Sequence, residues 1–242
     1  MMTQSLLRAL DQRAANGNPA QLWLRDDDAI APTQALDQLL SLSDAANVPV
    51  TLAVIPAHSG PELASRLTTA PAVSVAVHGW SHSNHAPKTE KKQELGLHRP
   101  LADVLGELAR GFNHLSTLHG DQFTPVLVPP WNRIAPQVVA GLPALGFKAL
   151  SVFGAEAPAP LPLFNTHVDV IDWRGTRAGR PDDVLMQEIA QAMLRGDAPI
   201  GLLTHHLVHD AQVWGFLERL FALTADHPGC RWVGLPQLIG SP

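Results

Sequence analysis

The chain has 242 residues, of which 45% are apolar and only 16% are charged, and this balance excludes a disordered chain and allows a sizeable core. A net charge of −5, with no long run of Lys or Arg, argues against nucleic acid or an anionic membrane as a partner. The single Cys230 cannot form an internal disulfide, the first residues lack the apolar core of a signal peptide, and no run reaches the roughly 18 apolar residues of a membrane span. We therefore expect one cytoplasmic domain over residues 1–242, and the sequence leaves its oligomeric state open.

Short apolar runs alternate with segments of helical period along the whole chain. The β-branched and apolar runs predict strands at 21–25, 48–56, 73–77, 124–130, 147–153, 165–173, 199–206 and 231–235. Most of these runs are separated by a segment whose apolar residues recur at helical spacing. Such alternation predicts an α/β fold, and the length and strand count favour a distorted (β/α)7-8 barrel with mostly parallel strands.

The longest predicted helix opens at Pro100, because proline suits the first turn of a helix. Five apolar residues recur along it and predict one buried stripe. They are Leu101, Leu105, Leu108, Phe112 and Leu115.

Polar and aromatic residues follow the predicted strands where each strand ends. In a barrel the carboxyl ends of the strands converge, so residues far apart in sequence meet at one edge. We therefore expect one site at this edge. Its candidate residues are Asp26, Asp27, Asp28, His78, His82, Trp131, Asn132, Asp172, Trp173 and His205.

The segment HGWSH carries the sharpest local signal. His78 and His82 are four residues apart, so one turn places both imidazoles on the same side, as a shared metal requires. In a chain with twelve histidines this spacing also fits a solvated loop. Its position after a buried strand, with acidic residues at another strand end, favours a metal site.

Three consecutive aspartates follow the first predicted strand. One Asp there is explained by capping of the next helix. Three are not, because alternation along a strand turns at least one side chain inward, where an unpaired carboxylate is costly. A bound metal would supply the missing partner for one or more of Asp26, Asp27 and Asp28.

Two adjacent histidines end the seventh predicted strand. Successive side chains on a strand point to opposite faces, so only one of His205 and His206 should enter the site, where it can act as a general acid. Other histidines are expected at the surface, namely His85, His98, His114, His119, His209 and His227. Trp80, Trp131 and Trp173 each adjoin one of the polar groups, and their faces suit stacking on a sugar ring, although core packing explains any one of them equally well.

Taken in order, the segments LRDDDA, HGWSH, VPPWN, DVIDW and LLTHH resemble the polysaccharide deacetylase family, the NodB-homology hydrolases of carbohydrate esterase family 4. The likeness spans residues 22–206. It implies a distorted barrel and one divalent metal held by an Asp and two His. The first motif of the family is an Asp-Asp pair of base and ligand. Here Asp27 is the preferred base and Asp28 the preferred ligand, with Asp26–Asp27 as the alternative pair.

The resemblance also implies a reaction, the hydrolysis of an acetamide to acetate and a free amine. Asp27 would take a proton from the metal-activated water, and His205 would protonate the departing amine. The metal is expected to be zinc, although cobalt, nickel, manganese and iron suit the same ligands. Trp80, Trp131, Asn132 and Trp173 would line the substrate site.

Two positions depart from the pattern of the family. Gly79 stands where the second motif has a hydroxyl residue, and Val128 stands where the third motif has an Arg that orients the base. Arg25, Arg133 or Arg174 could replace that Arg. Further supporting roles fall to three residues, which are Asp26, Asp172 and His206.

Three functions follow from these observations. The first is an N-deacetylase for a small saccharide or for a sugar linked to a lipid or other carrier. The second keeps the metal but cleaves a non-sugar C–N bond, as in an amide or a cyclic ureide. The third is a carbohydrate-binding homologue whose catalysis is weakened together with the Arg that Val128 replaces.

Overall fold

The structure is a computed structural model that describes residues 3–240. Within these residues strands and helices alternate, as the sequence predicts. Residues 3–240 contain eight strands, which are β1 (Ala20–Ala29), β2 (Val50–Val54), β3 (Val73–His78), β4 (Phe123–Val128), β5 (Ala149–Leu150), β6 (Thr166–Asp169), β7 (Ile200–Thr204) and β8 (Cys230–Trp232). The eight α-helices of the same range are α1 (Gln4–Ala15), α2 (Gln34–Ala45), α3 (Pro61–Leu67), α4 (Leu101–His119), α5 (Pro136–Gly141), α6 (Asp182–Arg195), α7 (Ala211–Thr224) and α8 (Leu235–Gly240). Across residues 3–240, no helix has the length and apolar character needed to cross a membrane.

The described residues divide into two compact units. The first unit comprises residues up to 26 together with 33–50 and 166–234. The second comprises 27–32, 51–165 and the residues from 235 onward. β1 begins in the first unit, and its last three residues lie in the second. The expectation of a single domain stays a prediction.

The first unit is built on parallel strands. β1 pairs in parallel with β7, with Leu24 opposite Leu202 and Asp26 opposite Thr204. β7 pairs in parallel with β6, and β8 pairs in parallel with the start of β1. This register sets Asp26, within β1, beside Thr204, the last residue of β7.

The second unit is built in the same way. β4 pairs in parallel with both β3 and β5, and β2 neighbours β3. Every residue of β2 and β3 is buried, which explains why both strands are apolar runs without alternation. The register of β3 opposite β4 sets His78 beside Val128.

Several predicted element boundaries were wrong. β1 does not end at Arg25 but continues to Ala29, so the three aspartates lie within the strand. The predicted strands 147–153 and 165–173 shorten to β5 and β6, and beyond them the backbone forms only isolated bridges and bends. Pro100 is the residue before α4 and not part of it.

The buried face of α4 differs from the predicted stripe. Leu108 and Leu115 are buried as expected, but Leu105 and Phe112 are only partly buried and Leu101 is 36% exposed. The rest of the buried face is Val104, Gly111 and His119. A Cβ atom on Gly111 would lie 2.9 Å from Pro56 Cγ and 3.4 Å from the Gly79 carbonyl oxygen. The glycine therefore lets α4 lie directly against the turn that follows β3.

Candidate active site

Asp28, His78 and His82 converge in the second unit. Asp28 Oδ1 lies 3.1 Å from His78 Nε2 and 3.4 Å from His82 Nε2. One ligand atom from each residue lies within 4.8 Å of the other two, so this trio is a group able to hold a metal ion. The side chain of His78 is nearly buried, whereas those of Asp28 and His82 are 34% and 23% exposed, which leaves an approach from one side.

The hydrogen bonds of His78 fit a metal ligand. Its Nδ1 lies 2.9 Å from the Val128 carbonyl oxygen, which can only accept a hydrogen, so Nδ1 carries the proton. In the neutral ring, Nε2 then presents its lone pair toward Asp28 and His82. Metal-bound histidines commonly donate their second ring N–H to a backbone carbonyl in this manner. The chemistry of the three donors therefore fits a divalent transition metal such as zinc.

The electrostatics of the trio favour positive charge at its centre. Burial lowers the pKa of His78, but the negative charge of Asp27 and the hydrogen bond and charge of Asp28 outweigh it, so the net pKa is raised. The pKa of His82 is lowered by burial and by the charge of His78. The carboxylates of Asp27 and Asp28 thus favour positive charge on His78, and they would attract a bound cation in the same way.

Left-handed backbone is concentrated around the trio. Asp28, His82, Trp131 and Asn132 have φ values of 73°, 57°, 54° and 56°. Such a conformation is costly for residues other than glycine and is common at functional sites. It turns Asp28 out of the regular alternation of β1, and it turns His82 back toward Asp28.

The tryptophans of the second unit have different surroundings. The ring of Trp131 packs against His82 with centroids 4.4 Å apart, and Lys92 Nζ lies 5.8 Å from the Trp131 ring. Asn132 follows Trp131 in the same left-handed turn. Trp80 instead faces the guanidinium of Arg110 at 5.0 Å. The structure therefore brings Trp131 to the trio and gives Trp80 a cation–π partner.

Asp26 belongs to a different cluster, in the first unit. It is fully buried and accepts hydrogen bonds from Thr204 Oγ1 at 2.7 Å and from the His206 backbone N–H at 2.8 Å. The carboxylate also pairs with His206 Nδ1. Burial raises the pKa of Asp26, but the charge and hydrogen bond of His206 outweigh it and the net pKa is lowered.

His205 is the more exposed of the two adjacent histidines. Its ring packs edge-on against Trp173, with centroids 4.8 Å apart, and Trp173 Nε1 donates to Asp169 Oδ2 at 2.9 Å. The His205 backbone N–H donates to His209 Nε2 at 3.3 Å. Burial lowers the pKa of His209 to about 4, so its ring is neutral and can accept this hydrogen bond. His205 is thus held from two sides.

The residues expected to support the base are in separate places. Arg25 is fully buried on β1 directly before the aspartates. Arg133 Nη1 donates to the Lys92 carbonyl oxygen at 2.7 Å, and Arg174 lies in an exposed turn. Asp172 accepts hydrogen bonds from the backbone of the same turn, and those from Thr176 and Gly175 lower its pKa.

Sequence reasoning missed three residues next to the predicted ones. Asp169 holds Trp173, Lys92 faces Trp131, and Glu94 binds the backbone of the HGWSH turn. The DVIDW segment contained a signal for Asp169, since that residue lies four positions before Trp173.

The solved structures that resemble this chain include carbohydrate deacetylases and a pseudoenzyme. One match is a protein from Mycobacterium smegmatis that is provisionally assigned as a polysaccharide deacetylase. Its TM-score is 0.71 and its identity 17%, over 92% of this chain and 90% of that chain. A peptidoglycan N-acetylglucosamine deacetylase bound to an N-hydroxybenzamide compound matches with a TM-score of 0.62 and 18% identity, over 93% and 90%. A family 4 pseudoenzyme from Bacillus anthracis matches with a TM-score of 0.62 and 16% identity, over 92% and 66%.

No protein-family model matches the sequence, and no curated protein sequence matches it either. The similarity is therefore one of structure, and at these identities it shows the fold. The expected class, an α/β fold of the NodB-homology barrel type with mostly parallel strands, is confirmed. The family that the sequence motifs resemble, carbohydrate esterase family 4, is also the family of the structural neighbours of this chain.

Proposed function

We propose that this protein is a metal-dependent hydrolase that removes the acetyl group from an N-acetylated sugar. The observation that carries the proposal is the convergence of Asp28, His78 and His82 on one point, in a fold shared with solved deacetylases. A divalent metal held by these three residues would polarise the acyl carbonyl and lower the pKa of the attacking water. The metal is proposed to be zinc.

Asp27 is the proposed base. It adjoins the ligand Asp28 and is 2% exposed, and its charge raises the pKa of His78. A buried carboxylate beside a metal ligand is well placed to take the proton of the attacking water. Arg25, buried two positions before it on the same strand, is the proposed replacement for the arginine that Val128 lacks.

His205 is the proposed acid. Donation of a proton to the departing nitrogen gives a neutral amine, which leaves far more easily than an amide anion. The packing of His205 against Trp173 and the hydrogen bond to His209 fix the ring and its backbone. His206 is committed to Asp26, so its proposed role is to support the strand ends.

The proposed substrate is an N-acetylated amino sugar, either free or linked to a lipid or another carrier. Trp131, beside the metal ligands, and Trp173, which is 41% exposed, offer ring faces on which sugars stack. Asn132 and Trp80 are proposed to extend this surface. The peptidoglycan N-acetylglucosamine deacetylase among the structural neighbours supports this substrate class. A cytoplasmic location stays a prediction.

One observation favours a second function. Val128 replaces the arginine that orients the base in the resembled family, and one structural neighbour is a pseudoenzyme. A chain with the same metal site but weakened catalysis would bind N-acetylated saccharides without turning them over. Asp27→Asn should then leave saccharide binding unchanged.

The test is acetate release from N-acetylated glucosamine, from its oligomers and from lipid-linked forms, by protein loaded with one equivalent of Zn²⁺. We expect release that stops on chelation and returns with metal. A parallel panel of simple amides and cyclic ureides separates the non-sugar alternative. Metal binding without release on any substrate, together with measurable saccharide binding, would support the second function.

A further inference from the structure

The structure explains why the HGWSH segment contains a glycine. A Cβ atom on Gly79 would lie 2.0 Å from Glu94 Oε2 and 2.6 Å from Pro130 Cγ, which is far inside contact distance. Gly79 also has a φ of 62°, a conformation that favours glycine. The space that a side chain would occupy here is filled by the carboxylate of Glu94.

Glu94 binds the backbone between the two histidines. Its Oε1 accepts from the Ser81 backbone N–H at 2.8 Å and from Ser81 Oγ at 3.1 Å. Its Oε2 accepts from the Trp80 backbone N–H at 3.2 Å. Glu94 is fully buried, so these contacts are made away from solvent, where losing a partner is costly.

The main chain on both sides of Glu94 is anchored. The Gln93 backbone N–H donates to Asn84 Oδ1 at 2.9 Å, and the Leu95 carbonyl oxygen accepts from the Ala135 backbone N–H at 2.8 Å. The loop that delivers the carboxylate is therefore fixed immediately before and after it. Such anchoring is needed if Glu94 is to impose a conformation on the HGWSH turn.

We infer that Glu94 is a positioning residue of the metal centre, whose carboxylate occupies the space that a side chain at Gly79 would fill. By holding Trp80 and Ser81, it fixes the turn in which His82 takes its left-handed conformation and presents Nε2 to Asp28 Oδ1. This inference rests on the proposed function, since it assigns Glu94 to the metal site named above.

The test compares metal binding by wild-type protein, Glu94→Gln and the control Glu90→Gln. Glu90 lies in the same loop but is exposed and contacts His98. Each protein is stripped with a chelator and titrated with Co²⁺, which reports both affinity and ligand geometry through its visible spectrum. In the Gln variant an amide NH₂ replaces one carboxylate oxygen, and it faces an N–H group that can only donate. We therefore expect the affinity for Co²⁺ to be at least about tenfold weaker and the Co²⁺ spectrum to change. Glu90→Gln should match wild type.

A merely structural role would lower stability and leave Co²⁺ affinity and spectrum unchanged, so thermal unfolding of the metal-free proteins is measured alongside. If Glu94→Gln fails to fold, Ser81→Ala replaces it, because that variant removes a single donor to the same carboxylate and should weaken Co²⁺ binding several-fold. Wild-type affinity in the folded variant would overturn the inference while leaving the proposed function intact. Absence of Co²⁺ binding by the wild-type protein would instead overturn the proposed function, and the inference with it.

Discussion

Asp26 and His206 form a buried carboxylate–imidazole pair, in which the same carboxylate also accepts hydrogen bonds from Thr204 Oγ1 and from the His206 backbone N–H. The pair separates the roles of the three consecutive aspartates. Asp26 is occupied in the first unit, whereas Asp28 faces His78 and His82 in the second. This arrangement favours Asp27–Asp28 over Asp26–Asp27 as the pair of base and ligand.

We expect Asp26→Asn to lower the free energy of unfolding by about 3 kcal/mol, because it breaks a fully buried charged pair. Urea unfolding monitored by tryptophan fluorescence measures the change. The control is Asp44→Asn on an exposed surface of α2, which should change stability by less than about 0.5 kcal/mol. Equal stability of the two variants would mean that the pair does not hold the two strand ends together.

The effect of Asp26→Asn should also depend on pH. The pKa of Asp26 in the folded protein is lowered from its ordinary value of 3.8, so the carboxylate stabilises the fold fully above pH 3.8. This contribution is lost as the pH falls through the lower folded pKa. The stability difference between wild type and variant should therefore shrink as the pH falls below about 4.

His119 was predicted at the surface, but it is 7% exposed, and neither ring nitrogen has a hydrogen-bond partner among the described residues. Burial and the nearby His114 lower its pKa from 6.5 to about 4. Between these values the unfolded chain binds a proton that the folded chain does not, so stability rises with pH. We expect His119→Leu to weaken this dependence between pH 4.5 and 7, measured by unfolding at each pH. Exposed His58→Gln is the control, and equal slopes for all three proteins would contradict the assignment.

Asp27 and Asp28 should give different phenotypes on conversion to asparagine. Asp28→Asn removes a proposed charged ligand and should lose both metal affinity and acetate release. Asp27→Asn should keep the metal and lower the turnover number by at least about a hundredfold, as expected for a missing general base. Metal analysis and turnover on the same preparations decide between the two registers. The opposite phenotypes would make Asp27 the ligand.

Trp173 should support His205 in addition to offering a ring face to the sugar. Trp173→Phe keeps the ring contact but loses the hydrogen bond to Asp169, worth about 1 kcal/mol, so the turnover number should fall roughly fivefold. Asp169→Asn keeps an oxygen that can accept the bond and should retain most activity. A rise in KM at constant turnover number in Trp173→Phe would instead assign the ring to substrate binding.

The sequence predicted those parts of the site that depend on local spacing. His78 and His82 are four residues apart after an apolar strand, and Asp28 belongs to a run of carboxylates that surface capping does not explain. The strand ends that carry them follow from the alternation of elements. Local pattern and parallel topology were sufficient to predict that these three side chains lie together, whereas their roles stay predictions.

Tertiary contacts decided what the sequence did not predict. β1 continues through Asp26 because Thr204 and His206 satisfy its carboxylate inside the fold, which no local propensity of aspartate indicates. Glu94 fills the space beside Gly79 from a distant part of a loop. His119, the last residue of α4, is buried, although its neighbours in sequence resemble a surface segment.

The central claim is that Asp28, His78 and His82 hold one divalent metal ion. Zn²⁺ titration of chelator-treated protein by calorimetry, with the metal content confirmed by elemental analysis, tests it most directly. We expect one equivalent to bind to wild type and to His85→Ala, whose histidine lies outside the trio, and none to bind tightly to His78→Ala. Binding of Zn²⁺ to His78→Ala with wild-type affinity, or no binding by the wild-type protein, would contradict the account.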